Sequence, residues 1–94
     1  MPFFSFPEDA RWNEESGAVE FGVSIGEYVG TVRVPGTVFR RLLGQNVTSE
    51  KCLEHYHVYR TEFERAAEEK LRRRELADDG NVELSGRDLR RSIG

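Results

Sequence analysis

The chain has 94 residues, a formal net charge of −3, 33% charged residues and a single cysteine. This length supports one small hydrophobic core, so we expect one domain over residues 1–94, and the lone cysteine excludes an internal disulfide and fits a reducing cytoplasm. Acidic and basic residues are mixed, and no apolar run approaches the ~20 residues of a membrane span, which disfavours nucleic acid and membranes as partners.

The chain begins with an apolar segment that contains three phenylalanines within six residues. Because exposed rings would be costly, we expect Phe4 and Phe6 to add an edge strand or to cover the core. Pro7 is expected to end this segment, since it cannot donate to a sheet ladder. The acidic stretch from 8 to 17 is predicted to form a loop whose Trp12 docks on the sheet.

Residues 18–35 carry the clearest β signal, because apolar and polar side chains alternate on both sides of Gly26. Gly26 and Glu27 are predicted to form a type II′ turn, whose first central residue needs a positive φ. The resulting register places Glu20 opposite Arg33, and we expect their charged groups to lie within ~4 Å of each other. The apolar face of this hairpin consists of Val19, Phe21, Val23, Ile25, Tyr28, Val32 and Val34.

A short helix and a long helix are predicted next. Thr37 is the expected N-cap of the short helix, which ends at Gly44. The buried side of the short helix is expected to consist of Val38, Phe39, Leu42 and Leu43.

From Thr48 to about Glu75, apolar side chains recur at steps of three and four, which predicts one long amphipathic helix capped by Thr48. At ~1.5 Å per residue it would be roughly 40 Å long. A compact domain of this length is only roughly 32 Å across, so we expect the end of the helix to overhang and expose Leu71 and Leu76. The apolar positions of the stripe are Cys52, Leu53, Tyr56, Tyr59, Phe63, Ala66, Ala67 and Leu71, and the expected ion pairs are Glu68–Arg72 and Glu69–Arg73.

The last part of the chain is predicted to contain a strand and a final helix. A turn cluster at 78–81 precedes a third strand, Val82–Leu84. Ser85 and Asp88 have the spacing of a capping box, which opens a short helix that buries Leu89 and Ile93. The element order is therefore β-β-α-α-β-α. It predicts an α+β fold in which a small antiparallel sheet of three strands, or four if the N-terminus joins, is packed on one face by the long amphipathic helix.

Four residues of the long helix could bind a metal. Glu54 and His57 form a Glu-x-x-His pair, and Cys52 and His55 form a second i,i+3 pair of potential ligands. Each pair is half a site, and the chain has no other histidine, so two subunits would be needed to complete it. On a helix His55 and His57 also point ~200° apart. We therefore interpret both histidines as solvated or core-edge side chains and expect no metal and no cofactor.

Three other features could carry chemistry. Pro2 would act as a general base only as a free N-terminal amine on a pocket-lining strand, after removal of Met1. Cys52 lies near a helix N-terminus that could lower its pKa, but its place on the apolar stripe favours a buried, inert thiol. The run from Lys70 to Arg74 could form a patch for phosphate or RNA together with Arg87, Arg90 and Arg91, although carboxylates surround it.

One set of spaced positions runs through nearly the whole chain: Phe6, Trp12, the Val19–Phe21 strand, Gly44, the Tyr59-Arg60 step, and Val82–Leu84 followed by Asp88. With these positions the chain resembles a family of small bacterial proteins catalogued as domain of unknown function 1488. The resemblance implies a single α+β domain and brings no catalytic or ligand residues with it.

Three functions compete. The preferred hypothesis is a non-catalytic interaction or regulatory protein whose partner is another protein or a second copy. A homodimer with antiparallel long helices would cover Leu71 and Leu76, unless the chain's own C-terminal helix covers them. The alternative is a metal-binding or enzymatic site built at a subunit interface from Cys52, Glu54, His55 and His57. A nucleic-acid binder that uses Arg72 to Arg74 is the third hypothesis.

Overall fold

The computed structural model describes residues 4–6, 10–44 and 46–93, and for residues 90–93 it describes the backbone alone. Helices and strands are mixed in the order expected from the sequence, which confirms the α+β class. The elements are β1 (Arg11–Asn13), β2 (Ala18–Ile25), β3 (Tyr28–Pro35), α1 (Gly36–Leu43), α2 (Ser49–Val58), α3 (Arg60–Arg72), β4 (Val82–Glu83) and α4 (Gly86–Ile93). A search of the described segments finds no helix with the length and hydropathy of a membrane span.

The β2–β3 hairpin has the predicted register. Ile25 pairs with Tyr28 across the turn, Glu20 pairs with Arg33, and Gly26 has a φ of 57°. One face of the hairpin is buried as expected, because the alternation of apolar residues matches the pleat of the strands. The side chains buried on this face include Val19, Phe21, Val23, Val32 and Val34.

The predicted contact between the Glu20 and Arg33 side chains is wrong, although their backbones pair. The Arg33 guanidinium instead donates two hydrogen bonds to Asp79, with Nη1–Oδ2 at 2.6 Å and Nη2–Oδ1 at 3.2 Å. The Glu20 carboxylate is buried beneath the β1–β2 turn and accepts hydrogen bonds from Asn13 and Ser16. Arg33 pairs with Asp79 because a bidentate guanidinium–carboxylate pair is stronger than a single cross-strand contact. Glu20 is held from the β1 side, where Arg11 lies 4.0 Å from its carboxylate.

The N-terminal part of the chain covers the free edge of β2. Strand β1 pairs antiparallel with β2, so the expectation of a loop throughout residues 8–17 is wrong for Arg11–Asn13. Trp12 packs against the core as expected. Phe4 and Phe6 also pack against the core, on either side of an isolated bridge between Ser5 and Ser24. The predicted end of this segment at Pro7 lies outside the described residues.

Strand β4 makes the sheet mixed rather than antiparallel. The strand order is β1-β2-β3-β4, and β4 runs parallel to β3, with Val32 opposite Val82. Parallel neighbours need a long crossover connection, and here α1, α2 and α3 together provide it. The Thr31 amide donates to the side-chain oxygen of Asn81 at 3.0 Å, and the Leu84 amide donates to the Arg33 carbonyl at 2.8 Å.

The predicted single long helix is in fact two helices that meet at Tyr59. This residue has φ −110° and ψ 30°, and its carbonyl accepts from the Glu62 amide in a tight i,i+3 turn. The break follows a run of aromatic and β-branched side chains from His55 to Tyr59, which lose rotamer freedom in a helix. Thr48 does cap α2, since its side-chain oxygen accepts from the Lys51 amide at 3.2 Å.

The overhang expected at the end of the long helix is absent, because Ala67 in the last turns of α3 is fully buried and the helix ends at Arg72. Leu71 is half-buried and packs against the chain's own core, whereas Leu76 is exposed. Helix α4 packs along α3, whereas the residues that line a cleft together with Leu71 and Leu76 are Phe4, Ile25, Tyr28, Arg72 and Arg74. Cover of the two leucines by the C-terminal helix therefore stays a prediction. The ion pairs expected along this helix are confirmed for Glu68–Arg72 at 3.7 Å and Glu69–Arg73 at 3.6 Å.

Helix α1 ends at Gly44 as predicted, but its N-cap and the burial of its last turn differ from the prediction. It begins directly after Pro35, and Thr37 lies inside the first turn without capping it. The Gly36 amide is satisfied instead by the Gly17 carbonyl at 2.8 Å, so no side-chain cap is needed there. Val38 and Phe39 are buried as predicted, but the last turn projects Leu42 and Leu43 into solvent.

The capping box of α4 is confirmed. The Ser85 amide donates to the Asp88 carboxylate at 2.8 Å, and the Asp88 amide donates to the Ser85 hydroxyl at 3.3 Å. Lys70 on α3 forms an ion pair with the same carboxylate at 3.1 Å. Leu89 is buried as expected, and the side chain of Ile93 lies outside the described residues.

Phe63→Ala is expected to reduce the free energy of unfolding by about 3–5 kcal/mol, the cost of truncating a buried aromatic side chain. Phe63 is 2% exposed and packs against Phe39 and Tyr56. Urea denaturation measures this loss. The control is Val58→Ala, at a residue that is 69% exposed. A loss below about 1 kcal/mol at Phe63 would show that this side chain is not part of the core.

The Arg33–Asp79 pair is expected to make stability depend on pH in the acid range. Hydrogen bonds from Arg33 hold the pKa of Asp79 at about 2, below its usual 3.8. The fold therefore prefers the charged carboxylate, and this contribution is complete above pH 3.8 and is lost as the pH falls toward 2. Unfolding free energies at about pH 5 and about pH 2.5 should differ less in Asp79→Asn than in the wild type. Asp78→Asn is the control, and an equal effect in both variants would contradict the assignment.

Candidate functional site

His55 lies at the centre of an aromatic cluster to which α1, α2 and α3 contribute. Its ring centroid is 4.6 Å from that of Tyr59, 5.9 Å from that of Phe39 and 6.1 Å from that of Phe63. The contacts with Phe39 and Phe63 are edge-on, an arrangement that aromatic rings prefer. Burial lowers the pKa of His55, so the packing favours the neutral ring.

Two depressions flank His55 on the surface, and both are lined by His55 and Tyr59. The larger has a volume of about 400 Å³ and lies between α1 and α4, with Phe63 and Leu89 among its lining residues. The smaller has a volume of about 320 Å³ and lies between the end of α1 and the outer side of α2. The two depressions therefore form one continuous surface on either side of the same ring.

The side chains around these depressions are unusually apolar for exposed positions. Leu42 is 54% exposed, Leu43 44%, Val58 69% and Tyr59 46%. Leu42 lines the larger depression, and Leu43 and Val58 line the smaller one. We call this region, with His55 between the two depressions, the α1–α2 surface.

The structure separates the four residues considered for metal binding. Cys52 is buried, and burial raises the pKa of its thiol although the charge of Arg40 acts in the opposite direction. His57 is exposed and lies outside the lining of both depressions. Glu54 and His55 alone among the four line one depression together. Within the described segments, no three His, Cys, Asp or Glu residues are grouped closely enough to hold a metal ion.

The basic run at the end of α3 is largely partnered by carboxylates. Lys70 binds Asp88 and also donates to the Glu83 carbonyl at 2.8 Å, while Arg72 and Arg73 lie within 3.7 Å of carboxylates one turn earlier. The side chains of Arg90 and Arg91, which the sequence placed in the same patch, lie outside the described residues. Pro2, considered separately as a general base, also lies outside them.

Sequence reasoning missed most of the α1–α2 surface because it assigned Leu42, Leu43 and Tyr59 to the core. One signal was available in the run from His55 to Tyr59, whose low helix propensity marks a break. A break at Tyr59 changes the direction of the apolar stripe, so residues just before it need not face the sheet. No comparable feature of the sequence predicts the exposure of Leu42 and Leu43. A helix of eight residues can bury either its first or its last turn.

The comparisons with known proteins agree with this fold. A family model described as a protein of unknown function (DUF1488) matches residues 4–84. Among solved structures, a protein of unknown function from the DUF1488 family of Shewanella loihica PV-4 superposes with a TM-score of 0.79 at 19% sequence identity. The superposition covers 87% of this chain and 91% of that chain, and at such identity it shows the shared fold alone. No curated protein matches the chain.

His55 is expected to make stability fall between neutral and mildly acidic pH. Because burial lowers the pKa of His55 from 6.5, its contribution is present above pH 6.5 and is lost as the pH falls through the lower folded-state value. His55→Phe retains an aromatic ring at this position and removes the ionisable imidazole. Its unfolding free energy should change less between about pH 7.5 and about pH 5 than that of the wild type. His57→Phe is the matched control, and an identical pH response in His55→Phe and the wild type would refute the assignment.

Proposed function

We propose that this chain, which belongs to the DUF1488 family of proteins of unknown function, is a non-catalytic interaction protein that assembles as a homodimer through its α1–α2 surface. The observation that carries the proposal is the joint exposure of Leu42, Leu43, Val58 and Tyr59. We place the protein in a bacterial cytoplasm, where the single thiol of Cys52 would stay reduced.

Exposed apolar side chains support an interface when they are contiguous rather than scattered. Single exposed apolar residues are normal, but contiguous patches on soluble monomers are rare outside interaction sites. The four side chains surround the same His55 ring, and the depressions beside them give a partner side chain somewhere to insert. Aromatic residues such as Tyr59 are also enriched in the centres of interfaces, where they bury a large area.

The charges around the surface favour a second copy as the partner. Arg41 and Glu62 line the larger depression, and Lys51 and Glu54 line the smaller one. Within the described chain none of these four side chains forms an ion pair. A two-fold interface places each patch against itself, so a rim with equal numbers of both charges can pair every cation with an anion of the partner.

The end of α3, where the sequence suggested the dimer interface, supports a dimer less well than the α1–α2 surface does. Leu71 already packs against the chain's own core. The carboxylates of Glu68 and Glu69 are engaged by Arg72 and Arg73 of the same helix, so fewer charges remain for a partner. The proposed interface therefore moves from the end of the long stripe to the region around its break.

A second candidate function is a metal site at the same interface. It is favoured by one observation, the presence of Glu54 and His55 in the lining of the same depression. A two-fold dimer could bring both residues of each copy together and supply the mixed nitrogen and oxygen ligands that zinc accepts. Cys52 would not take part, because its side chain is buried in the core rather than exposed on the outer side of α2. Metal analysis of the purified dimer tests this candidate, and less than one ion per two chains would reject it.

Light scattering coupled to size exclusion is expected to give twice the chain mass of 10.8 kDa at micromolar concentration. Leu43→Glu and Val58→Glu should each shift the protein to the monomer, because a two-fold interface would bury the new carboxylate twice. Both residues are exposed in the fold, so the variants should remain folded by circular dichroism.

Val29→Glu is the matched control, since Val29 is 80% exposed but lies on β3 outside the α1–α2 surface. This variant should keep the mass of the wild type. A wild-type mass of one chain, or a dimer that survives both Leu43→Glu and Val58→Glu, would overturn the proposed interface.

A further inference from the structure

The C-terminus of α3 ends in a Schellman motif with an arginine at the position that usually holds glycine. The Glu75 amide donates to the Lys70 carbonyl, and the Arg74 amide donates to the Leu71 carbonyl, both at 3.0 Å. Arg74 has a φ of 57°, the left-handed region that side chains other than glycine disfavour. It is the one residue other than glycine with a positive φ in the described part of the chain.

The strained arginine lies beside a cleft with mostly apolar walls. Its volume is about 520 Å³, within the range of small-molecule sites, which is ~300–1,000 Å³. We call it the Arg74 cleft. Its lining residues come from the N-terminal segment, the hairpin end and the end of α3, and they are Phe4, Ile25, Tyr28, Leu71, Arg72, Arg74 and Leu76.

Two guanidinium groups provide the charge of this cleft, and no carboxylate lines it. Arg72 stacks over the Phe4 ring, with its guanidinium carbon 5.5 Å from the centroid, and makes two long contacts of 3.7 Å with glutamates on α3. Arg74 makes neither an ion pair nor a side-chain hydrogen bond with any part of the chain that the structure describes. An unpaired guanidinium is a ready bidentate partner for a carboxylate.

We infer that the Arg74 cleft binds an aliphatic carboxylate, an amphiphile whose charged head pairs with Arg74 and whose chain lies against Ile25, Leu71 and Leu76. The apolar walls fit the aliphatic body, and the exposed Leu76 would gain cover from it. The cationic rim selects a negative head, and the planar fork of Arg74 favours a carboxylate over a neutral hydroxyl.

This inference is independent of the proposed dimer. The cleft lies at the C-terminal end of α3, whereas the α1–α2 surface lies beside its first turn, and the two share no lining residue. Helix α3 has 13 residues, so the two regions are separated by roughly 18 Å along its axis.

Titration calorimetry with decanoate, below the concentration at which it forms micelles, tests the inference on the full chain. Decanoate should bind at least tenfold more tightly than decanol. Arg74→Gly should weaken decanoate binding at least tenfold while leaving the melting temperature unchanged or raised, because glycine relieves the unfavourable φ. A loss of stability therefore cannot explain the loss of binding.

Two further variants complete the test. Leu76→Gln changes an exposed wall residue and should weaken the binding of both decanoate and decanol. Arg87→Gln changes an exposed arginine outside the cleft and should leave both affinities unchanged. Absence of decanoate binding, equal affinity for decanoate and decanol, or an Arg74→Gly variant that binds decanoate like the wild type would each overturn the inference.

Discussion

The apolar face of the β2–β3 hairpin is the constraint on which the rest of the fold depends. Five large side chains on this face are almost completely buried, and no isolated hairpin could shield them from water. Helices α1, α2 and α3, which follow β3, return to the same side of the sheet and cover them. Helices α2 and α3 supply Cys52, Tyr56 and Phe63 to this cover, and the Phe21 and Tyr56 rings are 4.8 Å apart.

The break at Tyr59 connects this packing requirement with the proposed interface. Helices α2 and α3 cover the sheet as two helices joined at Tyr59 rather than as one straight helix through residues 49–72. Two shorter helices remain in contact with the sheet, but the turn between them leaves Val58 and Tyr59 outside the core. The α1–α2 surface therefore results from covering the hairpin with two helices instead of one.

Much of the fold follows from local patterns in the sequence. The alternation around Gly26, the N-cap at Thr48 and the Ser85–Asp88 capping box each depend on neighbouring residues, and the structure contains all of them. Two of the errors concern longer-range choices. Arg33 could be paired with Glu20 from register alone, but its partner Asp79 comes from a turn 46 residues away. The direction of β4 likewise depends on the length of three helices rather than on its own residues.

The candidate site was less predictable than the fold for the same reason. Periodicity shows that a residue is apolar at a helical step, but it does not show which turns of the helix remain in contact with the sheet. Leu42 and Leu43 satisfy the pattern and are nevertheless exposed. Arg74 could not be recognised from sequence either, because its importance depends on a backbone angle and on side chains from three separate segments.

The parallel pairing of β3 with β4 has a consequence for the order in which the chain folds. The hairpin closes through a two-residue turn, whereas Thr31 and Asn81 are 50 residues apart when their hydrogen bond forms. Closing so long a loop costs chain entropy. This free-energy cost is offset only when the intervening helices have packed. Strands β2 and β3 can therefore pair early, whereas β4 joins the sheet only after the helices have packed. The C-terminal helix, whose capping carboxylate is held by Lys70, would then be the last element to dock.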